Sequence, residues 1–386
     1  NNGSDTYCCM LDASKAFDRL RFDKLFAVLR KKSFSPLYLR LLISMYQNQK
    51  ACTSWLGCKS SSFVCQNGVK QGGVLSPLLF TLYTDVLLEM LEKNGIGCWI
   101  AGKYYGVIGY ADDICLLSPS VTGLQKMLHI CEQFGNDYDM LFNPSKTKCM
   151  RFTRKSFTAN PVITLNDNSI EWVNKIKYLG NWIECGLSEE SEIGRKKGTI
   201  ICAANKTEAH FKFLDRNLKS DIFVSYSSHF YGSQAWKLED KFVRRFYTTW
   251  NTSVRKIWGL PFDTHTNILP HLTLTLSVKD QIYLRSCKML LNMSNSLNHK
   301  LSHLYRTFER NSRSIIGSNI KSIKKYFDMS HLDLKLAYKT AAERKDKSKP
   351  IGGLARELCN IIDNDCSFSV FDKDEFEFIL FDICTS

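Results

Sequence analysis

Apolar positions recur along this chain with two periods, one near two residues and one near 3.6. Residues 7–12, YCCMLD, form a short apolar run that ends in an acid, the pattern of a buried strand. Residues 22–32 and 36–49 repeat at helical spacing, and Leu39, Leu42, Met45 and Tyr46 fall on one face of the second helix. Ser76-Pro77 opens LLFTLYTDVLLEMLEK, a third helix. Serine suits its cap, proline its first position and Gly95 its stop. Residues 106–118, GVIGYADDICLLS, place Asp112 and Asp113 between two apolar runs, as in a strand hairpin with acids at its tip. Leu124, Met127, Leu128, Cys131 and Phe134 mark a further helix.

Strands are expected again at 148–152, at 162–165 and 170–173 around an Asn-Asp-Asn turn, and at 176–183. Beyond Gly186 the pattern turns helical. Phe242, Phe246, Trp250, Val254, Ile257 and Trp258 form an apolar stripe that ends at Gly259-Leu260-Pro261, and Ser277 with Asp280 starts another helix. The pattern predicts an α+β first part and a mostly helical second part. The boundaries expected are 1–185, 186–345 and an acidic end, 346–386.

Charge sharpens that division. The net charge is +14, and residues 186–350 hold 29 Lys+Arg against 15 Asp+Glu, whereas 351–386 hold 2 against 8. A basic surplus confined to one segment points to a polyanionic partner. The fifteen cysteines contain no CxxC pair, which argues against a zinc ribbon and for reduced, mostly buried thiols in an intracellular protein. No run of about 18 uncharged apolar residues is present, so no membrane partner is expected. The chain begins NNGSDTYCCM, with no initiating Met, basic region or apolar signal, and is expected to be a fragment.

Asp12 at a strand end and Asp112-Asp113 on a neighbouring hairpin would bring three carboxylates together. Such carboxylates repel, and a cation that takes oxygen ligands would balance them; magnesium is the candidate. The Gln71-Gly72-Gly73 loop offers close backbone approach and an amide for a base or sugar edge.

LDASKAFD, VKQGGVLSPLLF, YADD, FNPSKTKC and KYLGNWI, in that order over residues 7–185, resemble the palm motifs of reverse transcriptases, closest in form to non-LTR (LINE-type) retrotransposons. FYGSQAW and IWGLPFDTH resemble the thumb and downstream region of the same elements. The resemblance implies a right-hand polymerase palm, an antiparallel sheet with helices and with the fingers largely missing, followed by a helical thumb. It implies RNA-directed DNA polymerase activity with two Mg2+ ions (Mn2+ as substitute), an RNA template, a DNA primer and dNTP substrates. Synthesis in the cytoplasm and action in the nucleus follow from it.

Carried over by position, Asp12, Asp112 and Asp113 would be the catalytic metal ligands, Asp113 the less direct of the three. Phe17 would pack against the incoming sugar, Gln71 and Gly72 would contact the nascent pair or template, and Lys146, with Lys148 competing, would approach the pyrophosphate. Tyr178, Leu179 and Gly180 would grip the primer end, and Asp18 is expected to cap a helix. Lys196, Lys197, Arg244, Arg245 and Arg255 are candidate phosphate contacts of the thumb. The endonuclease domain that many such elements carry upstream is not in the sequence, and the chain reads as the C-terminal portion of a polyprotein. The alternative is a catalytically inactive nucleic-acid-binding remnant.

Overall fold

The computed structural model describes residues 5–47, 49–153, 160–228 and 230–346. The acidic segment 346–386 lies, but for its first residue, outside them. The chain divides into two compact units, residues 1–179 with 183–188, and residues 180–182 with 189–386.

The first unit is built on one sheet. Strands β1 (Thr6–Leu11), β2 (Val107–Tyr110), β3 (Asp113–Ser118), β4 (Lys148–Phe152) and β5 (Glu171–Trp172) lie in the order β5-β4-β1-β3-β2. β1 is central and antiparallel to both neighbours, and only β4 and β5 run parallel. Side chains alternate between faces, so Cys9, Leu11, Ile114, Leu116 and Cys149 all enter one core. Helices α1 (Ser76–Asn94) and α2 (Val121–Tyr138) close it with Leu79, Phe80, Tyr83, Leu87, Leu124, Leu128 and Phe134. The opposite face carries Cys8, Cys115 and Met150, and the partly buried Ile176, Tyr178 and Ile183 pack on it. Cys8 and Cys115 sit there as free thiols with sulfurs 3.5 Å apart, and the hydrogen bond between them, followed by burial, raises the pKa of Cys8.

Several local expectations change. Ser76 is the first helical residue of α1, and its hydroxyl donates to the Lys70 carbonyl at 2.6 Å instead of capping. Gly95 ends that helix at φ +72°, as its lack of a Cβ allows. Met45 is exposed on its helix, whereas Leu42 and Tyr46 are buried. Asp18 lies inside the single turn Ala16–Arg19, whose cap position is Lys15. The expected strand 176–183 is a hairpin, β6 (Lys175–Tyr178) and β7 (Asn181–Glu184), turning at Leu179 and Gly180, both at positive φ. The same two-residue device, Asn166-Asp167, joins Thr164–Leu165 to Asn168–Ser169.

The second unit is helical. In α3 (Glu190–His210), α4 (Lys241–Trp258) and α5 (Val278–Ser294) the apolar stripes face one core. Trp250 packs between Phe223 and Phe230 at 5.3 and 5.2 Å between ring centroids, and Trp236 meets Phe246 at 5.1 Å. Asp240 caps α4 and Gly259 stops it; Ser277 caps α5 by accepting from the Asp280 N–H. Among the described residues, no helix is long and apolar enough to cross a membrane.

Glu189, just before α3, accepts the Lys237 N–H at 2.8 Å. Burial pushes its carboxyl up to about 7, against the pull of that hydrogen bond. An unfolded glutamate titrates near roughly 4.3. The folded chain thus keeps a proton that the unfolded chain has lost, and stability falls as pH rises through that window. Glu189→Gln is expected to flatten the decline and to be more stable at pH 8 by about 1–2 kcal/mol after solvent screening. Denaturant midpoints at pH 5 and pH 8 check this.

Candidate active site

Asp12 directly follows β1, and extending the β1–β3 register by one residue beyond Leu11–Ile114 sets it beside Asp113. A bonded turn braces it. The Asp12 N–H donates to Thr147 Oγ1 at 3.3 Å, its carbonyl accepts from Asn143 N–H at 2.9 Å, and Thr147 N–H closes back on the Asn143 carbonyl at 2.9 Å. Asp113 opens β3, paired with Tyr110 across the two-residue loop Ala111-Asp112. Ala111 holds φ +53°, where a side chain costs about 1–2 kcal/mol and glycine is at ease. The tightness of that loop keeps Asp112 next to its neighbour.

The carboxyl of Asp113 is held above the ordinary range, first by burial and then by the negative charges of Asp112 and Asp12. The three acids therefore share one electrostatic environment. Among the described residues no group of three His, Cys, Asp or Glu side chains is drawn together tightly enough to form a metal cage. Like charges set carboxylates apart, and an oxygen-only donor set of this kind suits a hard divalent ion that keeps water and phosphate in its shell. In chemical type the residues fit such an ion.

Lys146 brings Nζ to 3.9 Å from Asp12 Oδ2. Its rival Lys148 is tied elsewhere, donating to the Ser145 carbonyl at 2.8 Å and to Glu171 at 2.7 Å. Phe17 stacks on Phe80 with centroids 4.3 Å apart and planes 12° from parallel. Gln71 and Gly72 are exposed; Gly72 adopts φ +81° with open space around it. Sequence reasoning missed the glycine that positions this loop. Gly68, at φ +89°, lies so close to Asp18 that a Cβ would stand 2.8 Å from its carbonyl oxygen. Gly68 N–H donates to Leu20 and Val69 N–H to Phe17, joining the loop to the Phe17 segment. The Asn67-Gly68 dipeptide was the available signal.

Tyr178 lies on the Cys115 face, its phenol pushed up to about 12, chiefly by burial. Leu179 and Gly180 form the β6–β7 turn. Within the second unit, residues 180–182 are held by α3. Arg195 donates to the Gly180 carbonyl at 3.3 Å, and Trp182 N–H donates to Glu192 at 3.1 Å. The Glu192 carboxylate is 4% exposed and paired with Arg195 at 2.6 Å. Asn181 Oδ1 occupies the space of a Cβ at Gly232, only 2.1 Å from where it would stand, and Gly232 adopts φ +86°. Gly232→Ala is therefore expected to cost about 2–3 kcal/mol, read as a lower thermal midpoint. An unchanged midpoint would contradict that contact.

The five basic candidates separate. Arg255 is buried, and two of its nitrogens donate to the Thr264 carbonyl at 3.1 and 2.6 Å, so it is an internal strut and not a phosphate contact. Lys196 is largely buried beside Glu192 at 3.7 Å, and burial lowers its pKa. Lys197 is half-buried. Arg244 and Arg245 are exposed on α4, with Arg244 paired to Glu239 at 3.0 Å.

Residues 1–183 match the family described as reverse transcriptase (RNA-dependent DNA polymerase). The chain is 25% identical over 271 residues to the RNA-directed DNA polymerase from mobile element jockey of Drosophila funebris, covering 66% of this chain and 28% of that protein. It is 31% identical over 188 residues to the Pol polyprotein from the type-1 retrotransposable element R2 of Nasonia vitripennis, covering 45% of this chain and 18% of that one. The chain thus spans less than a third of the length of these relatives. The structure of apo telomerase from Candida Tropicalis is similar over 86% of this chain and 53% of that chain, at 13% identity and a TM-score of 0.40. Residues 1–183 are thus similar to reverse transcriptase domains, and the relatives that share this part of the chain are retrotransposon polymerases or Pol polyproteins.

Proposed function

We propose that the chain is part of a LINE-type retrotransposon polyprotein whose palm extends a DNA primer 3′-end with dNTPs on an RNA template. The observation that carries this is the placement of Asp12 beside Asp113, with Asp112 in the adjoining turn, at the end of the central strands of a matched domain. Asp12, Asp112 and Asp113 would hold the two magnesium ions, which supply activation of the primer hydroxyl and charge stabilisation at the departing pyrophosphate.

The chain's own residues do the rest. Phe17, fixed in orientation by Phe80, offers a flat apolar surface to the incoming sugar and leaves little room at its 2′ position. Lys146, exposed and next to Asp12, supplies a mobile positive charge and a proton for the pyrophosphate. The loop of Gln71 and Gly72 meets the nascent pair, and Tyr178, Leu179 and Gly180 set the primer end. Helices of the second unit would follow the template–primer duplex, with Arg244 and Arg245 available for phosphates.

Binding of Mn2+, followed by electron paramagnetic resonance, tests the carboxylate assignment without requiring turnover. Asp12→Asn/Asp112→Asn is expected to weaken the tightest Mn2+ site at least tenfold. Equal binding by both proteins would remove the metal reading.

A further inference from the structure

One groove of the helical unit has not entered the site above, although its lining residue Tyr231 lies against Gly180. It has a volume of about 550 Å3, within the range usual for small-ligand pockets, and lies where α5 faces the turn Ser233–Ala235. Buried Phe230 and half-buried Met289 supply its apolar surface. Arg285 and Lys288 are exposed, three residues apart on α5, and Asn292 continues the same helix face. Tyr231 and Gln234 line it from the opposing segment. None of its lining residues is acidic, and neither Arg285 nor Lys288 makes an ion pair among the described residues.

The details narrow the ligand. The Arg285 guanidinium lies 5.6 Å from the Phe230 ring centroid, and a single contact at 3.5 Å to the Ser228 carbonyl leaves its other donors available. Tyr231 is 55% exposed, and Lys196 Nζ stands 5.8 Å from its ring centroid, a third cation nearby. Two cations beside an accessible aromatic ring match an anion joined to a flat apolar group. A merely solvated basic face has no need of the ring or the apolar surface.

A nucleotide has that chemistry: a phosphate for Arg285 and Lys288, a base for the Tyr231 ring, and base-edge groups for the Gln234 and Asn292 amides. A paired base hides both its faces within the duplex stack, so only an unpaired one can be taken. We infer that this groove binds one unpaired nucleotide of a single-stranded nucleic acid, its base against Tyr231 and its phosphate between Arg285 and Lys288. The inference rests on the polymerase reading, under which a single-stranded template or displaced strand is at hand.

The test is fluorescence anisotropy with the full chain and three probes of equal length: single-stranded RNA, single-stranded DNA and an RNA–DNA duplex. Arg285→Gln/Lys288→Gln is compared with Lys321→Gln/Lys325→Gln, which removes the same charge from exposed sites on another helix. The groove variant is expected to weaken single-strand binding at least fivefold beyond the control and to leave duplex binding at the control's level. The RNA and DNA arms show which strand is taken. Equal losses in both variants would overturn the groove as a site, because bulk charge would explain the binding. Duplex binding without single-strand binding would overturn it and leave the polymerase reading intact. Absence of all nucleic-acid binding would overturn both. A 4-thiouridine probe should cross-link within the peptide holding Tyr231 or that holding Met289, beside any cross-link in the palm, and absence of a cross-link in both peptides would contradict the proposed pose.

Discussion

Asp112→Ala is expected to abolish RNA-templated primer extension, with a loss on the order of 10³-fold or more, equivalent to about 4 kcal/mol of transition-state stabilisation. The size follows from position. Asp112 sits in a two-residue loop beside Asp113, and the charges of Asp112 and Asp12 are both felt at Asp113. A cation bound there would be stabilised by all of them and would supply charge compensation at the reacting phosphate. The fold has little stake in Asp112, a half-exposed turn residue. Its removal should leave stability within about 0.5 kcal/mol, or raise it slightly by relieving repulsion. Single-turnover extension read beside a thermal melt separates the two effects. Retained incorporation in the variant would place the chemistry elsewhere.

Trp258→Ala is expected to be the most damaging single change to the helical unit, at about 3–5 kcal/mol. Trp258 is fully buried at the last turn of α4, within the core that also holds Phe246, Trp250, Val254 and Ile257. Truncation there loses the transfer free energy of an indole and leaves a cavity that a close-packed aromatic core fills only in part. Domains of this size are commonly stable by about 5–15 kcal/mol, so the variant should have a much lower denaturant midpoint with native-like secondary structure in buffer. Trp258→Phe, which keeps most of the ring contact, should lose far less. A cost below about 1 kcal/mol for the alanine variant would contradict the packing.

Much of this was legible because period and punctuation agreed. YCCMLD alternates into a strand, and LLFTLYTDVLLEMLEK runs from Pro77 to Gly95 as a helix. The stripe on Phe242–Trp258 is core, as helical spacing implies, and its Gly259 stop holds φ +61°. Features decided by distant partners were not legible. Ser76 fails to cap because the Lys70 carbonyl, six residues back, takes its hydroxyl. Leu179-Gly180 breaks one apolar run into a hairpin because two successive residues adopt positive φ, a demand that leucine does not advertise. Arg255 looked like a phosphate contact by charge, yet the fold turns it inward onto Thr264.

At the candidate site the division was similar. The acids, Phe17 and Lys146 were visible as motif residues, with Lys146 preferred over Lys148, whereas the ion pair that engages Lys148 comes from Glu171, which arrives through the sheet. Gly68 and the Glu192–Arg195 pair that hold neighbouring segments carry no motif of their own.

The most direct measurement is primer extension on a poly(A)/oligo(dT) hybrid with dTTP, in Mg2+ and then in Mn2+, by the chain and by Asp112→Ala. Incorporation that needs the RNA template and a divalent ion, and that disappears in the variant, is expected. Salt-dependent binding of the hybrid with no incorporation in either metal would contradict it and identify the chain as a nucleic-acid-binding remnant.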